Sequence, residues 1–205
     1  MRQTMSLFIV AVSMVATFTA LASAQQVSIT PPRQEGTYVM HDFHFRSGET
    51  LPQVRIHYTT LGSPQRDRNG RTTNAVLILH GTTGSGHQFL VPSFSGVLFG
   101  PGQLLDVQRY YVILPDDIGS GNSSKPSDGM RAHFPQYDYA DMVTAEHDLV
   151  VDGLQLNHLR LVMGTSMGCM HSWMWGRHIR TIWMRSCPSP VCLSRSRGVI
   201  DCGAR

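Results

Sequence analysis

The 205-residue chain predicts an α/β fold built on a mostly parallel sheet. Three observations carry that reading. Ala75 to Leu79 and Tyr110 to Leu114 are short, unbroken apolar runs, as parallel strands show when helices cover both faces. Leu159 to Met163 is a third run, and it leads straight into Gly164-Thr165-Ser166-Met167-Gly168, a strand–turn–helix signature. Ahead of these lie two segments of alternating polarity, which read as an antiparallel pair. Two antiparallel strands, one strand, then strand–helix twice is the order of an α/β sheet.

The elements follow in chain order. Met1 to Ala24 has the form of a secretory signal: one basic residue (Arg2), an apolar stretch from Leu7 to Leu21 diluted by Ser13, Thr17 and Thr19, and the small cleavage site Ala22-Ser23-Ala24. The stretch falls short of the ~20 apolar residues that a spanning helix needs. Cleavage and export to the periplasm or beyond are therefore expected, without stable membrane insertion. Residues 25–36, with Pro31-Pro32, read as an extended lead-in. Thr37 to Phe45 and Gln53 to Leu61 are the two antiparallel strands, joined by Arg46-Ser47-Gly48-Glu49. The polar segment Ser63 to Thr73 is a loop. Asp138 is placed to cap a helix from Tyr139 to about Leu154, with Met142, Val143, Leu149, Val150 and Leu154 on one side. Met167 starts the next helix. The domain is expected over residues 37–176, and residues 177–205 form a tail of different character.

Charge and cysteine separate the same two parts. The formal net charge is +3, yet the tail holds six arginines against the single acid Asp201. The basic excess belongs to the tail and is no signature of nucleic-acid binding. Cys169 lies in the domain, whereas Cys187, Cys192 and Cys202 lie in the tail, with a spacing that matches no metal site. No metal and no bound cofactor are expected. Export would expose these thiols to oxidation.

The chemistry centres on Ser166. A Gly-x-Ser-x-Gly turn between strand and helix is the nucleophile elbow of α/β-hydrolases, in which a strained turn exposes the serine hydroxyl. His80-Gly81-Thr82-Thr83-Gly84-Ser85-Gly86 follows the Ala75–Leu79 strand. A glycine-rich loop there lets the backbone N–H of Thr82 join that of Met167 as an oxyanion hole. His80 reads as a structural histidine that bonds backbone groups. Asp116-Asp117-Ile118-Gly119-Ser120-Gly121-Asn122-Ser123 is a tight loop at the same sheet edge. Both aspartates are expected to hold that loop, because a triad acid follows the serine in this fold and these precede it.

These residues resemble a particular group. Phe134-Pro135 through Asp141-Met142-Val143, Val162 through Met170, the His80–Gly86 loop, and Phe99-Gly100-Pro101-Gly102 with Asp106 and Arg109-Tyr110 are similar to homoserine O-acetyltransferases and related α/β-hydrolase-fold acyltransferases. The resemblance spans about Thr37 to Gly176. It implies an acyl-Ser166 intermediate, relieved by an acceptor hydroxyl or by water. The partners implied are small: an ester, a thioester or an acyl acceptor, with acyl-CoA as donor only if the chain is an acyltransferase. Cys169 stands where the group usually has a second glycine. The export signal departs further, since acetyl-CoA is a cytoplasmic donor, and it favours ester or thioester hydrolysis or the use of another donor.

The group's triad acid and base follow the serine. Here His171, His178 and Asp201 are the residues of those types after Ser166. One helical turn carries His171 around and away from the serine's face, and His178 lies two turns further on. No triad acid or base is expected in this chain, and the C-terminal strands and helical lid of the fold are expected to be missing. Read one base out of frame, with wobble positions free, residues 177–201 are compatible with a Tyr-Pro-Asp break, a Met-Pro-Leu-Ala strand and a Gly-Arg-Asn-Arg turn, like the group's own continuation. The tail is therefore expected to be an out-of-frame segment. Leu159 to Val162 would then be an exposed parallel edge, and Pro188 and Pro190 oppose a replacement strand. The expected function is acyl transfer or ester hydrolysis through Ser166, with little turnover by the chain as written. The alternatives are a non-catalytic truncated α/β-hydrolase-like protein, or a cytoplasmic homoserine acyltransferase whose leader is not translated.

Overall fold

The computed structural model describes residues 33–179 and 191–192. The expected signal and most of the tail lie outside the described residues. The elements are β1 (Arg33–His44), β2 (Thr50–Leu61), β3 (Ala75–Leu79), α1 (Pro92–Leu98), β4 (Tyr111–Pro115), α2 (Tyr139–Asp148), β5 (Leu161–Gly164), α3 (Met167–His178) and β6 (Val191–Cys192). They build one sheet in the order β1-β2-β4-β3-β5-β6. β2 pairs antiparallel with both β1 and β4, while β4, β3, β5 and β6 run parallel.

The unbroken apolar strands are explained by cover on both faces. Ala75, Leu77 and Leu79 of β3 point to one side, where they join Val143 and Val150 from the α2 region and Trp175 of α3. Val76 and Ile78 point to the other, where Phe89, Phe99 and Leu105 cover them. The hairpin β1–β2 contributes Met40, Phe43, Leu51, Val54 and Ile56 to a third cluster with Met142, Leu149 and Met167. Its turn closes through the Gly48 N–H on the Phe45 carbonyl, with Gly48 at φ +90°. The strand β1 begins at Arg33, inside the expected lead-in, because Arg33 to Gly36 pair with Leu61 to Tyr58.

The Asp138 cap holds. Its carboxylate accepts from the N–H groups of Ala140 and Asp141, and Asp141 returns a bond to the Asp138 N–H, a reciprocal box. The other Asp141 oxygen accepts from the Arg46 N–H at 2.9 Å, tying α2 to the hairpin turn. The helical run ends where expected, but its last turn is not α. After Asp148 it widens into a π-turn over Leu149–Gly153, closed by the Leu154 N–H on the Leu149 carbonyl. Gly153 is forced there by Tyr38, whose ring occupies the space a Cβ would need. Helix α1 was not expected from the sequence; Pro92 opens it, and none of its residues is buried.

One expectation about the tail is corrected. Val191 and Cys192 pair in parallel with Met163 and Gly164, so the end of β5 is not a bare edge. Both residues lie beyond Pro188 and Pro190, so their N–H groups are available to the ladder. The pairing stops short of Leu161 and Val162. Among the described residues, no helix is long and apolar enough to cross a membrane.

Candidate active site

Strand β5 ends at Gly164 and α3 begins at Met167, which leaves Thr165 and Ser166 to make the turn. Ser166 sits at φ 51° and ψ −114°, a positive-φ conformation that costs a non-glycine residue on the order of 1–3 kcal/mol. The glycines on either side permit it. A Cβ on Gly164 would collide with the Gly168 backbone, and one on Gly168 would collide with the Leu79 and His80 carbonyl groups. The helix can therefore start directly against β3. Ser166 is exposed, as an elbow requires.

The glycine-rich loop comes from the neighbouring strand. Gly81 lies so close that a Cβ there would stand 3.3 Å from the Ser166 Cβ and 3.3 Å from the Thr165 carbonyl oxygen. The Thr165 N–H donates to the Leu79 carbonyl, and Gln88 Nε2 donates to Thr165 Oγ1 at 2.9 Å. Beyond Gly81 the chain turns sharply, with the Gly84 N–H on the Gly81 carbonyl and Thr83 at φ 63°. Thr82 is exposed within that turn. Met167 is the first residue of α3, so its N–H has no acceptor inside the helix.

His80 is buried beneath the loop. Its Nε2 accepts the Asp117 N–H at 3.0 Å, which places the ring proton on Nδ1, where it donates to the Gly81 carbonyl. Asp116 holds its loop as expected: one carboxylate oxygen accepts from the Gly86 N–H, and the other from the Asn122 N–H and His57 Nδ1. Asp117 does not, which corrects the expectation. Its side chain is directed into the interior, toward His171 and Glu146.

His171 is fully buried on α3, with Nδ1 2.8 Å from Glu146 Oε1. Trp175 Nε1 donates to the other Glu146 oxygen at 2.6 Å. The Asp117 Oδ2 lies 3.8 Å from His171 Nδ1. Burial pushes the Glu146 carboxyl up to about 7. Burial, reinforced by the neighbouring Glu146, holds Asp117 well above the usual carboxylate range. Burial lowers His171. Glu146 escaped the sequence reading, although it sits four residues after Met142 and four before Val150, on the apolar side of α2. The side chain of His178 and the whole of Asp201 lie outside the described residues. Among the described residues, no imidazole or carboxylate bonds to the Ser166 hydroxyl, so the elbow and its loop are together but a general base is not.

Comparison with known proteins agrees with this fold. The sequence model of the alpha/beta hydrolase fold family matches residues 74–184. A homoserine O-acetyltransferase of Pelobacter propionicus is 33% identical over 164 residues, covering 73% of this chain and 43% of that protein. The chain thus spans less than half the length of that curated relative. The acetyl esterase MekB superposes with a TM-score of 0.63 at 22% identity, over 74% of this chain and 43% of the esterase. The homoserine O-acetyltransferase of Bacillus anthracis gives a TM-score of 0.57 at 24% identity, over 72% and 43% of the two chains. At those identities the two structures speak for the fold.

Proposed function

The chain belongs to the alpha/beta hydrolase fold family, and from that premise we propose that Ser166 is the nucleophile of an acyl-transfer reaction on a small ester or thioester. The observation that supports this most is the strained, exposed Ser166 at the head of α3 with Gly81 against it. In the proposed reaction, Ser166 Oγ attacks the acyl carbonyl as its proton passes to a base. The N–H groups of Thr82 and Met167 receive the oxyanion of the tetrahedral intermediate. Its collapse expels the alcohol or thiol and leaves the acyl group on Ser166, from which water or an acceptor hydroxyl removes it.

Kinship with homoserine O-acetyltransferases supports acyl transfer, with acyl-CoA as the donor in that case; the expected export signal supports hydrolysis instead. No tightly bound cofactor is part of the reading. A base is required, because a serine hydroxyl at its ordinary acidity is a weak nucleophile. His80 and His171 are both engaged elsewhere. The described residues therefore provide the nucleophile and its oxyanion donors, and the base has to come from beyond them. A second reading, a non-catalytic α/β-hydrolase-like protein, is favoured by that same lack of a base at Ser166.

The test is hydrolysis of a chromogenic acetate ester by the chain and by Ser166→Ala. Turnover that Ser166→Ala abolishes supports the nucleophile. Turnover that survives the substitution places the chemistry elsewhere and sinks the reading.

A further inference from the structure

Asp117, Glu146 and His171 arrive from three separate segments: the loop after β4, helix α2 and helix α3. We propose that they form a buried site for one divalent transition-metal ion of the zinc class, which ties the elbow helix to α2 and to the loop beneath the glycine-rich turn. The proposal stands whether or not Ser166 turns over.

Geometry allows one ion to reach all three. Each residue offers a ligand atom, and these atoms lie within 4.8 Å of one another. Ligands about 2.1 Å from a tetrahedral ion stand about 3.4 Å apart. The separations from His171 Nδ1 are 2.8 Å to Glu146 and 3.8 Å to Asp117, on either side of that value. The third pair, Asp117 and Glu146, lies within 4.8 Å, so the two carboxylates would turn toward one ion between them.

The charge balance asks for a cation. Asp117 and Glu146 are each 2% exposed and His171 is 0% exposed. Among the described residues, neither carboxylate meets a lysine or arginine. Both Asp117 carboxyl oxygens are buried with no hydrogen-bond partner nearer than the neighbouring Glu146 carboxyl, and His171 Nε2 is buried without one. An ionised carboxylate in such a place is costly unless a cation accompanies it. One divalent ion offsets both negative charges and uses the Asp117 lone pairs. His171 would bind it through Nδ1 with the ring proton on Nε2, exchanging its present bond to Glu146 for the ion.

The surroundings have the second layer that metal ligands keep. Trp175 Nε1 fixes one oxygen of Glu146 and leaves the other facing His171. The Asp117 N–H is anchored on His80 Nε2. Such outer contacts orient ligands and commonly contribute about tenfold or more to affinity. A mixed imidazole and carboxylate set suits zinc better than magnesium, which prefers oxygens and water, or copper(I), which prefers sulfur.

The test uses the full chain, stripped with a chelator and titrated with Zn²⁺ and Co²⁺, with bound metal measured by elemental analysis after dialysis. The expected result is close to one ion per chain and a Co²⁺ visible spectrum without thiolate charge transfer. Asp117→Asn should lose the ion, and Trp175→Phe should bind about tenfold more weakly. Absence of retained metal in the wild-type chain overturns the proposal and leaves protons to neutralise the cluster. Undiminished binding by Asp117→Asn also overturns it, by moving the metal to other ligands such as the tail cysteines. Should Asp117→Asn fail to fold, the wild-type stoichiometry and cobalt spectrum still decide.

Discussion

Gly81 and Ser166 face each other at the ends of two neighbouring strands: a Cβ on Gly81 would stand 3.3 Å from that of Ser166. The proposed nucleophile and the loop that would hold its oxyanion are therefore set by the pairing of β3 with β5, in which Leu79 lies opposite Gly164. Anything that shifts this pairing moves both together.

Gly168 should be the less replaceable of the two neighbouring glycines. Helix propensity alone would favour alanine there by about 1 kcal/mol. The collision with the Leu79 and His80 carbonyl groups outweighs it. Gly168→Ala is expected to destabilise by about 3 kcal/mol, and Gly81→Ala, whose Cβ would press on Ser166 and Thr165 at 3.3 Å without overlapping them, by about 1 kcal/mol. Denaturant midpoints of the two variants check the order; equal midpoints would mean that α3 does not seat against β3 as described.

The two members of the α2 cap should differ as well. Asp138→Ala removes an exposed cap and should cost about 1 kcal/mol. Asp141 is buried and accepts from both Arg46 and Asp138 N–H groups. Asp141→Ala leaves two donors without partners and should cost about 2–3 kcal/mol. Thermal or denaturant melts of both variants measure the difference.

Asp106 predicts one part of the acid response. Its carboxylate accepts the Gly102 and Gln108 N–H bonds, which lower its pKa in the folded chain. A depressed folded pKa contributes stability above the unfolded value of about 3.9. That contribution disappears as pH falls through the lower folded value. Asp106→Asn should weaken the fold at neutral pH and lose less stability on acidification below about pH 4 than the parent. An acid limb as steep as the parent's would remove Asp106 from the account.

Legibility in the sequence followed the physical signal. Strand β3 is bounded residue for residue by its apolar run, and β4 and β5 lie within two residues of theirs. Helix α1 escaped the reading because its apolar signal is short: Phe94 and Leu98, one turn apart, are only partly buried against the β3–β4 face. The elbow and its loop were legible because strained turns demand glycine at fixed places. The Asp117 side chain was misread through its neighbour. Consecutive residues at the end of a strand face opposite ways, so Asp116 turns to the loop while Asp117 turns inward. Glu146 was hidden by an otherwise apolar helix face, and only its partners His171 and Trp175, from a distant segment, give it a role.

The most direct test of the central claim is mass-spectrometric mapping of a fluorophosphonate adduct. It compares the chain as written with a version carrying the proposed in-frame continuation from Arg177. The account predicts an adduct on Ser166 in the continued protein, none in its Ser166→Ala variant, and little or none in the chain as written, among whose described residues no base meets the hydroxyl. A continued protein that hydrolyses esters without an adduct on Ser166 would contradict the assignment of the nucleophile. Efficient labelling of the chain as written would show instead that a residue already present supplies the base.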